Sequence, residues 1–441
     1  MAENSSWRFC LLHGELGMDV AELEQLEDRL NAYLARFGDC FRRSDTRAHL
    51  TTYVRGQLSD LDAKSVEPIA LQAGTPVRTL QEFIAQHRWD EDGLRRRLIH
   101  IVRDEHVTKN TVAIIDETSD VKKGDKTPGV QRQWCGKVGK QENCIVTVHL
   151  AAANEDFHCM VDGELFLPES WSNDRERCAA AGIPDEMVYR PKWQIALELL
   201  DRSKEEGIEY PWLTADEGYG GKPGFLEALA DRDQKFVLEV PRTFSVWEKH
   251  PEVTEQPYRK GGRGRKTPRI KSGESSPRSV ETVFWHGEAM KAKRWKRYRV
   301  KDGEKGPIIW EAKRVRVTLK GSDGLPGLSL WLVVARNVLD GELKFFVSNA
   351  SEFASMAMLL QVAFQRWRVE RCFEDQKQEV GLDCYEGRRY LGLKRHLIIT
   401  SLSYLFLSQT CQQEREKKSG VDDSANSRRG RRNRSQLVTP S

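Results

Sequence analysis

The run Thr111-Val112-Ala113-Ile114-Ile115-Asp116 is short, apolar and β-branched, and it stops at an acid. That composition is expected of a strand buried on both faces. A second run, Trp212-Leu213-Thr214-Ala215-Asp216, ends in the same way. In open α/β sheets functional groups gather at strand ends, where the backbone is rigid and the side chain can leave the core. An Asp after a strand is also a common turn or cap residue, so neither acid decides anything alone. If the two strands are neighbours, both carboxylates face one crevice. The pair predicts an α/β fold whose sheet carries two acids at one end.

A third acid strengthens the pattern. Glu370 lies in Arg366-Trp367-Arg368-Val369-Glu370, and residues 352–377 read as the longest helix. Arg366, Glu370 and Lys377, spaced by four and then seven residues, fall on one face of it. A surface helix laced with salt bridges gives the same spacing. Carboxylates converging from separate elements supply the hard oxygen ligands of Mg²⁺, with Mn²⁺ as a substitute. Arginine and lysine beside the last of them suggest a phosphate polymer as substrate. The chemistry expected of such a site uses two metal ions in an in-line displacement at phosphorus. One activates a water or a DNA 3′-hydroxyl, and the other stabilises the leaving 3′-oxygen. Arg366 and Lys377 would hold flanking phosphates.

Composition supports a folded, polar chain of 441 residues with 39% hydrophobic and 31% charged residues. That length suggests roughly two to four domains. No apolar stretch reaches the ~18 residues of a membrane span, and the first residues lack the pattern of a secretory signal. A cytoplasmic protein without a membrane partner, nucleoid-associated when bound to DNA, is expected. The nine cysteines are scattered without a C-x-x-C pair, which argues for reduced thiols rather than a disulfide framework or zinc cluster. The net charge is only +4, but it is unevenly spread. Residues 259–320 hold 20 Lys or Arg against 6 Asp or Glu, leaving 50 against 60 elsewhere. Such segregation points to a polyanionic partner or to a solvated basic loop. Interleaved aromatics such as Trp285, Trp295 and Trp310 favour the former.

Along the chain, residues 1–106 read as a helical N-terminal domain. It has room for a helix-turn-helix on DNA ends, or for a packing or dimerisation bundle. Residues 107–241 and 342–412 read as one α/β core, with strands at 144–150, 157–166 and 236–240 and a helix at 191–206. The strands at 144–150 and 157–166 are expected to be antiparallel across Asn154-Glu155-Asp156. Residues 344–347 are expected to form the last strand of the central sheet, and residues 391–412 a second, apolar helix. Residues 242–341 read as a basic, β-rich insertion with strands at 280–285, 295–300, 308–318 and 328–335 and a flexible basic tip at 261–266. Residues 413–441 read as a disordered basic tail.

These motifs together resemble bacterial insertion-sequence DDE transposases, in particular the insertion-sequence family 701 branch. Arg55-Gly56-Gln57-Leu58 with residues 64–70 is similar to its N-terminal block. Ile115-Asp116-Glu117-Thr118, Lys122-Lys123-Gly124, residues 129–133 and Cys135-Gly136 are similar to the first catalytic block. Thr214-Ala215-Asp216-Glu217-Gly218-Tyr219-Gly220 is similar to the second. Residues 366–377, with 379–383 and Tyr385-Glu386, are similar to the third. Of the wider tyrosine-arginine-glutamate-lysine signature, Arg366, Glu370 and Lys377 are present, and Ala363 stands in the tyrosine position. The first block has Asp-Glu-Thr where Asp-Asp-Thr is expected.

The resemblance implies a ribonuclease-H-like mixed-sheet catalytic core flanked by helices, with the β-rich insertion between the second Asp and the Glu. It implies Asp116, Asp216 and Glu370 as the metal-binding triad. It also implies strand cleavage at terminal inverted repeats of double-stranded DNA, strand transfer into target DNA, and a homodimer on paired ends. The alternative is a catalytically silent DNA-binding protein derived from a transposase. Lys122, Lys123, Arg132 and Gln133 follow the first strand and are candidates for DNA contact or for a plain exposed hairpin. Trp367 is a candidate for stacking on a base or for a place in the core.

Overall fold

The computed structural model describes residues 20–155, 157–255, 267–303 and 306–434. The N-terminal block holds α1 (Val20–Ala35), α2 (Ser44–Gln57), α3 (Val66–Gln72), α4 (Val77–Ala85) and α5 (Glu91–Glu105). In α4 the buried residues Leu80, Phe83 and Ile84 recur at i, i+3, i+4, the spacing of one helical face. Asp90 caps α5 by accepting from the Gly93 N–H at 2.8 Å, which satisfies a donor the first turn leaves free.

The sheet region follows with β1 (Val112–Val121), β2 (Gln131–Cys135), β3 (Lys140–Ala153) and β4 (His158–Leu165). After them come α6 (Glu169–Ser172), α7 (Arg175–Ala181), α8 (Lys192–Glu205), β5 (Trp212–Ala215), α9 (Glu217–Gly220), α10 (Pro223–Asp231) and β6 (Val237–Glu239). β1 and β3 are antiparallel from Val112↔Ala153 to Val121↔Cys144. β3 and β4 are antiparallel too, across the expected turn. β5 lies parallel to β1 on its other side. A parallel bridge from Leu213 to Phe236 joins β5 to the start of β6.

Beyond β6 come short strands β7 (Ser245–Trp247), β8 (Val253–Thr254), β9 (Arg269–Ile270) and β10 (Arg278–Ser279), helices α11 (Val280–His286) and α12 (Glu288–Lys291), and long strands β11 (Lys296–Gly303), β12 (Gly306–Lys320), β13 (Pro326–Asn337) and β14 (Leu343–Ser348). The second sheet runs in the order β10-β7-β12-β13-β14-β6, with β11 on β12. The chain closes with α13 (Met356–Phe364), α14 (Trp367–Glu379) and α15 (Tyr390–Arg434).

Five expectations are corrected or refined. β1 does not stop at Asp116 but continues to Val121, because β3 pairs with it along its whole length. Residues 280–285 form α11 rather than a strand. Their β-branched and aromatic content suggested a strand, but Ser279 Oγ caps the Thr282 N–H at 3.1 Å and Val280, Val283 and Phe284 are buried at helical spacing. The long helix over 352–377 is two helices that meet at Gln365 and Arg366. Tight i to i−3 bonds at that junction (Gln365 N to Val362 O, Arg368 N to Gln365 O, Val369 N to Arg366 O) replace the continuous α pattern. β14 is a member of the second sheet and, among the described residues, is joined to the first through β6. The tail expected to be disordered over 413–441 continues α15 as far as Arg434, and residues 435–441 lie outside the described residues. The basic tip at 261–266 lies outside the described residues.

One continuous apolar core runs from Leu30 and Tyr53 through Ile114, Ile115, Leu213 and Val347 to Leu402. The N-terminal helices are tied to α15 by buried polar contacts. Tyr33 donates to Leu402 O at 2.9 Å, Gln57 Nε2 to Thr400 Oγ1 at 2.9 Å, and Ser403 Oγ to Gln57 Oε1 at 2.7 Å. The cysteines among the described residues are free thiols, most of them buried. Among the described residues, no helix is long and apolar enough to cross a membrane.

Candidate active site

The β1–β5 ladder is in register from Val112↔Trp212 to Ile115↔Ala215. Asp116 is the next residue of β1 and Asp216 the first residue beyond β5, so the two acids stand side by side where the parallel ladder ends. β5 ends there because Asp216 turns the chain into α9: its Oδ1 accepts from the N–H groups of Gly218 at 2.9 Å and Tyr219 at 3.3 Å. Asp216 therefore serves as a helix cap while keeping its second oxygen available. Asp116 is buried, and its Oδ1 accepts from the Glu117 N–H at 2.7 Å.

The electrostatics of this pair are unfavourable to charge. Burial pushes the Asp116 carboxyl up to about 7, and the charge of Asp216 adds to the rise. The Glu117 N–H and Arg366 oppose it. Asp216 is also raised, first by burial and then by Glu117, against Arg366 and its two capping N–H groups. Two crowded acids in a desolvated corner resist double ionisation unless positive charge arrives.

In this structure Arg366 supplies that charge. Its Nη2 lies 2.7 Å from Glu370 Oε1, its Nη1 3.5 Å from Asp116 Oδ2, and its Nε 3.9 Å from Glu239 Oε2. One guanidinium thus spans carboxylates on β1, β6 and α14. Burial works against the protonated guanidinium, but Glu370, Asp116, Glu239 and Asp216 outweigh it and raise its pKa. Glu370 sits in the first turn of α14 with its side chain 56% exposed.

Sequence reading missed Glu117, Tyr219 and Glu239. Glu117 is paired with Lys192 of α8 and accepts from the Tyr219 hydroxyl at 3.1 Å. Glu239 also takes Lys344 Nζ at 2.9 Å. Glu239 carried a readable signal: it closes an apolar strand, as Asp216 does. Among the described residues, the ion pairs of Asp116, Glu117, Glu239 and Glu370 are made with Arg366, Lys192 and Lys344, three cations against five acids once Asp216 is included, which leaves the site acidic. Among the described residues, no three His, Cys, Asp or Glu side chains are already drawn together as a cation cage. The donors are nonetheless all carboxylate oxygens, and the charge on the Asp116–Asp216 pair is only partly met. The residues fit a hard divalent cation in kind, with the Arg366 guanidinium standing in for part of its charge.

The structure separates Lys377 from this cluster. Its Nζ reaches Ser119 O at 3.5 Å, further along β1. Burial lowers its pKa, and the charges around it are Asp383, Lys137 and Asp120. Lys122 is also turned inward. It pairs with Asp120 and donates to Asp383 O at 3.2 Å and Tyr385 O at 2.6 Å, so its ammonium fastens the segment after α14. Gln133 Nε2 is used by Cys144 O at 2.9 Å. Lys123 and Arg132 are exposed. Trp367 is 38% exposed, with the Arg368 guanidinium 5.3 Å from its ring centroid. It is not a core residue.

Comparison with known proteins gives two matches. Over 188 residues the chain is 30% identical to a probable transposase for insertion sequence element IS701 from Microchaete diplosiphon. The match covers 42% of this chain and 46% of that relative, so the chain spans just under half the length of the protein it matches. Residues 36–307 match the family model described as DDE superfamily endonuclease, a span that contains both Asp116 and Asp216. The chain belongs to the DDE superfamily endonuclease family.

Proposed function

We propose that this protein is an insertion-sequence transposase that cuts DNA at terminal inverted repeats and transfers the strand ends into target DNA. The observation that carries the reading is the placement of Asp116 and Asp216 one residue beyond a parallel ladder, with Arg366 linking Glu370 to them. Membership of an endonuclease family and the likeness to a probable transposase support it. The two-sheet arrangement supports a ribonuclease-H-like core at 107–241 and 342–412, with the basic insertion at 242–341 between the second Asp and the Glu. Residues 1–106 are proposed to help hold DNA ends in a homodimer.

Asp116 and Asp216 would hold a divalent cation, Mg²⁺ or Mn²⁺, with Glu370 joining them. When bound, the cation supplies Lewis acidity for attack at phosphorus, the chemistry on which such endonucleases generally depend. The protein's own groups do the rest. Arg366, in contact with Asp116 and Glu370, is placed to pass from a carboxylate to a phosphate, for which its planar fork is suited. Tyr219 and Lys192 fix Glu117 in place beside Asp216.

Incubation of the protein with Mg²⁺ and DNA carrying its inverted repeats tests the reading. Cleavage at the repeat ends, lost in Asp116→Ala with end binding retained, is the expected result. The silent DNA-binding alternative predicts no cleavage by either protein. All three acids being present disfavours it.

A further inference from the structure

Asp216 also borders an open cleft of about 450 Å³ that Asp116, Arg366 and Glu370 do not line. Phe166, Tyr189 and Trp193 give it an aromatic surface, and Lys192 and Lys222 give it positive charge. The Phe166 and Tyr189 rings meet edge to face, with centroids 6.1 Å apart and planes at 72°. Lys192 lies 5.4 Å from the Phe166 centroid and is already committed to Glu117. Lys222 is exposed and makes no ion pair among the described residues. Tyr189 is 39% exposed, so its ring is open to a ligand in the cleft.

These features specify a ligand. The volume lies in the range of small-molecule sites, roughly 300–1,000 Å³, and suits a single nucleotide better than a duplex. Aromatic faces suit a base. Glu117 and Asp216 make the cleft hostile to a phosphate except near the lysines. We propose that the cleft binds one unpaired nucleotide of a DNA strand, its base against Trp193 and Tyr189 and its phosphate on Lys222. The phosphodiester to be attacked then lies beside Asp216. The inference rests on the proposed action on DNA and adds a subsite that handles single-stranded substrate.

Fluorescence anisotropy of the full chain with fluorescein-labelled tetrathymidylate, without divalent cation, tests it. Lys222→Ala and Trp193→Ala should each weaken binding about tenfold, the scale of one lost stacking or phosphate contact. Trp193→Phe, which keeps an aromatic face, should remain within about twofold of the wild type. Affinity for a blunt duplex should change less than that for tetrathymidylate. Lys222 is exposed, so its variant remains informative if the tryptophan variant unfolds. Equal tetrathymidylate affinity for the wild type and Lys222→Ala overturns the proposal, as does no binding by the wild type. Cleft-dependent binding by a protein that never cuts repeat ends would sink the transposase reading and leave the subsite standing. Cutting without cleft-dependent binding would do the reverse.

Discussion

Asp116 and Asp216 stand one residue beyond the pair Ile115↔Ala215, on adjacent parallel strands, and the charge on Asp216 raises the pKa of Asp116. A fold gains nothing in stability from placing two like charges together in a desolvated corner. Such an arrangement is expected where a cation or a proton is part of the working state. Arg366 moderates the repulsion without removing it, since both acids remain raised despite its presence.

The first prediction concerns Asp116→Asn. The amide is nearly the same size and carries no charge, so the repulsion with Asp216 disappears while packing is retained. The metal-free variant should melt at the same temperature as the wild type or higher. Cleavage of repeat-end DNA should fall about a hundredfold or more, the scale of losing one electrostatic group at a reacting centre. Binding to the ends should be little changed. Calorimetry and a gel cleavage assay read the two effects, and undiminished cleavage would remove Asp116 from the chemistry.

Arg366→Ala acts in the opposite direction. It leaves Asp116, Asp216 and Glu239 facing one another without their shared cation. Breaking a fully buried ion pair costs about 3–5 kcal/mol. Glu370 is largely exposed and Arg366 is 23% exposed, so solvent screening reduces the expected loss to about 1–3 kcal/mol. Mg²⁺ should raise the melting temperature of this variant more than that of the wild type, because the variant has more unmet negative charge. A smaller Mg²⁺ effect in the variant would mean that Arg366 does not shield the acids.

The acid pair was legible in the sequence because an apolar, β-branched run that stops at an acid is a local pattern. The shared register of β1 and β5 was not, since it depends on which strands become neighbours. Arg366 and Glu370 were legible as an i, i+4 pair, and their salt bridge does not depend on the unbroken helix that periodicity suggested. Lys377 follows the same helical face, yet it lies further along β1, opposite Ser119. Spacing shows which face a residue shares but not how far along its neighbour it lands. Lys122 reads as a surface lysine and is in fact held by two carbonyls 261 and 263 residues away in sequence. The helix α11 was misread because its β-branched and aromatic residues suit a strand, whereas the Ser279 cap and the spacing of Val280, Val283 and Phe284 decide for helix.

Gly220 gives a third prediction. It closes the short helix that Asp216 caps, and an added Cβ would lie 2.0 Å from the Glu239 carbonyl and 3.1 Å from Leu238 Cβ. Neither backbone atom nor buried strand can retreat cheaply. Gly220→Ala should destabilise the protein by about 1–3 kcal/mol or more, the usual effect of overpacking. It should also weaken cleavage, because α9 and β6 carry Asp216 and Glu239. Urea unfolding measures the first effect. A variant as stable as the wild type would show that the α9–β6 contact is looser than this packing implies.

The last prediction is a pH dependence set by His396. With the ring neutral, its Nε2 donates to Leu382 O at 3.2 Å and its Nδ1 accepts from the Tyr53 hydroxyl at 3.0 Å. Burial lowers its pKa to about 4, with Lys122 contributing and the Leu382 and Gly381 carbonyls and Asp383 opposing. The unfolded chain takes up this proton near pH 6.5 and the folded one does so only near 4. Between those values the unfolded state binds more protons, so stability rises with pH and is lost as pH falls. His396 alone accounts for a loss of about 3 kcal/mol over that window. His149, buried and lowered to about 3, adds a loss of the same sign. His396→Gln keeps a donor and an acceptor at similar positions and removes the titration. Its urea midpoint should therefore fall less than that of the wild type between pH 7 and pH 4.5, with His149 accounting for part of what remains. An unchanged slope would mean that this ring is not neutral in the folded protein, and that the tie between α2, α15 and the segment after α14 has another origin.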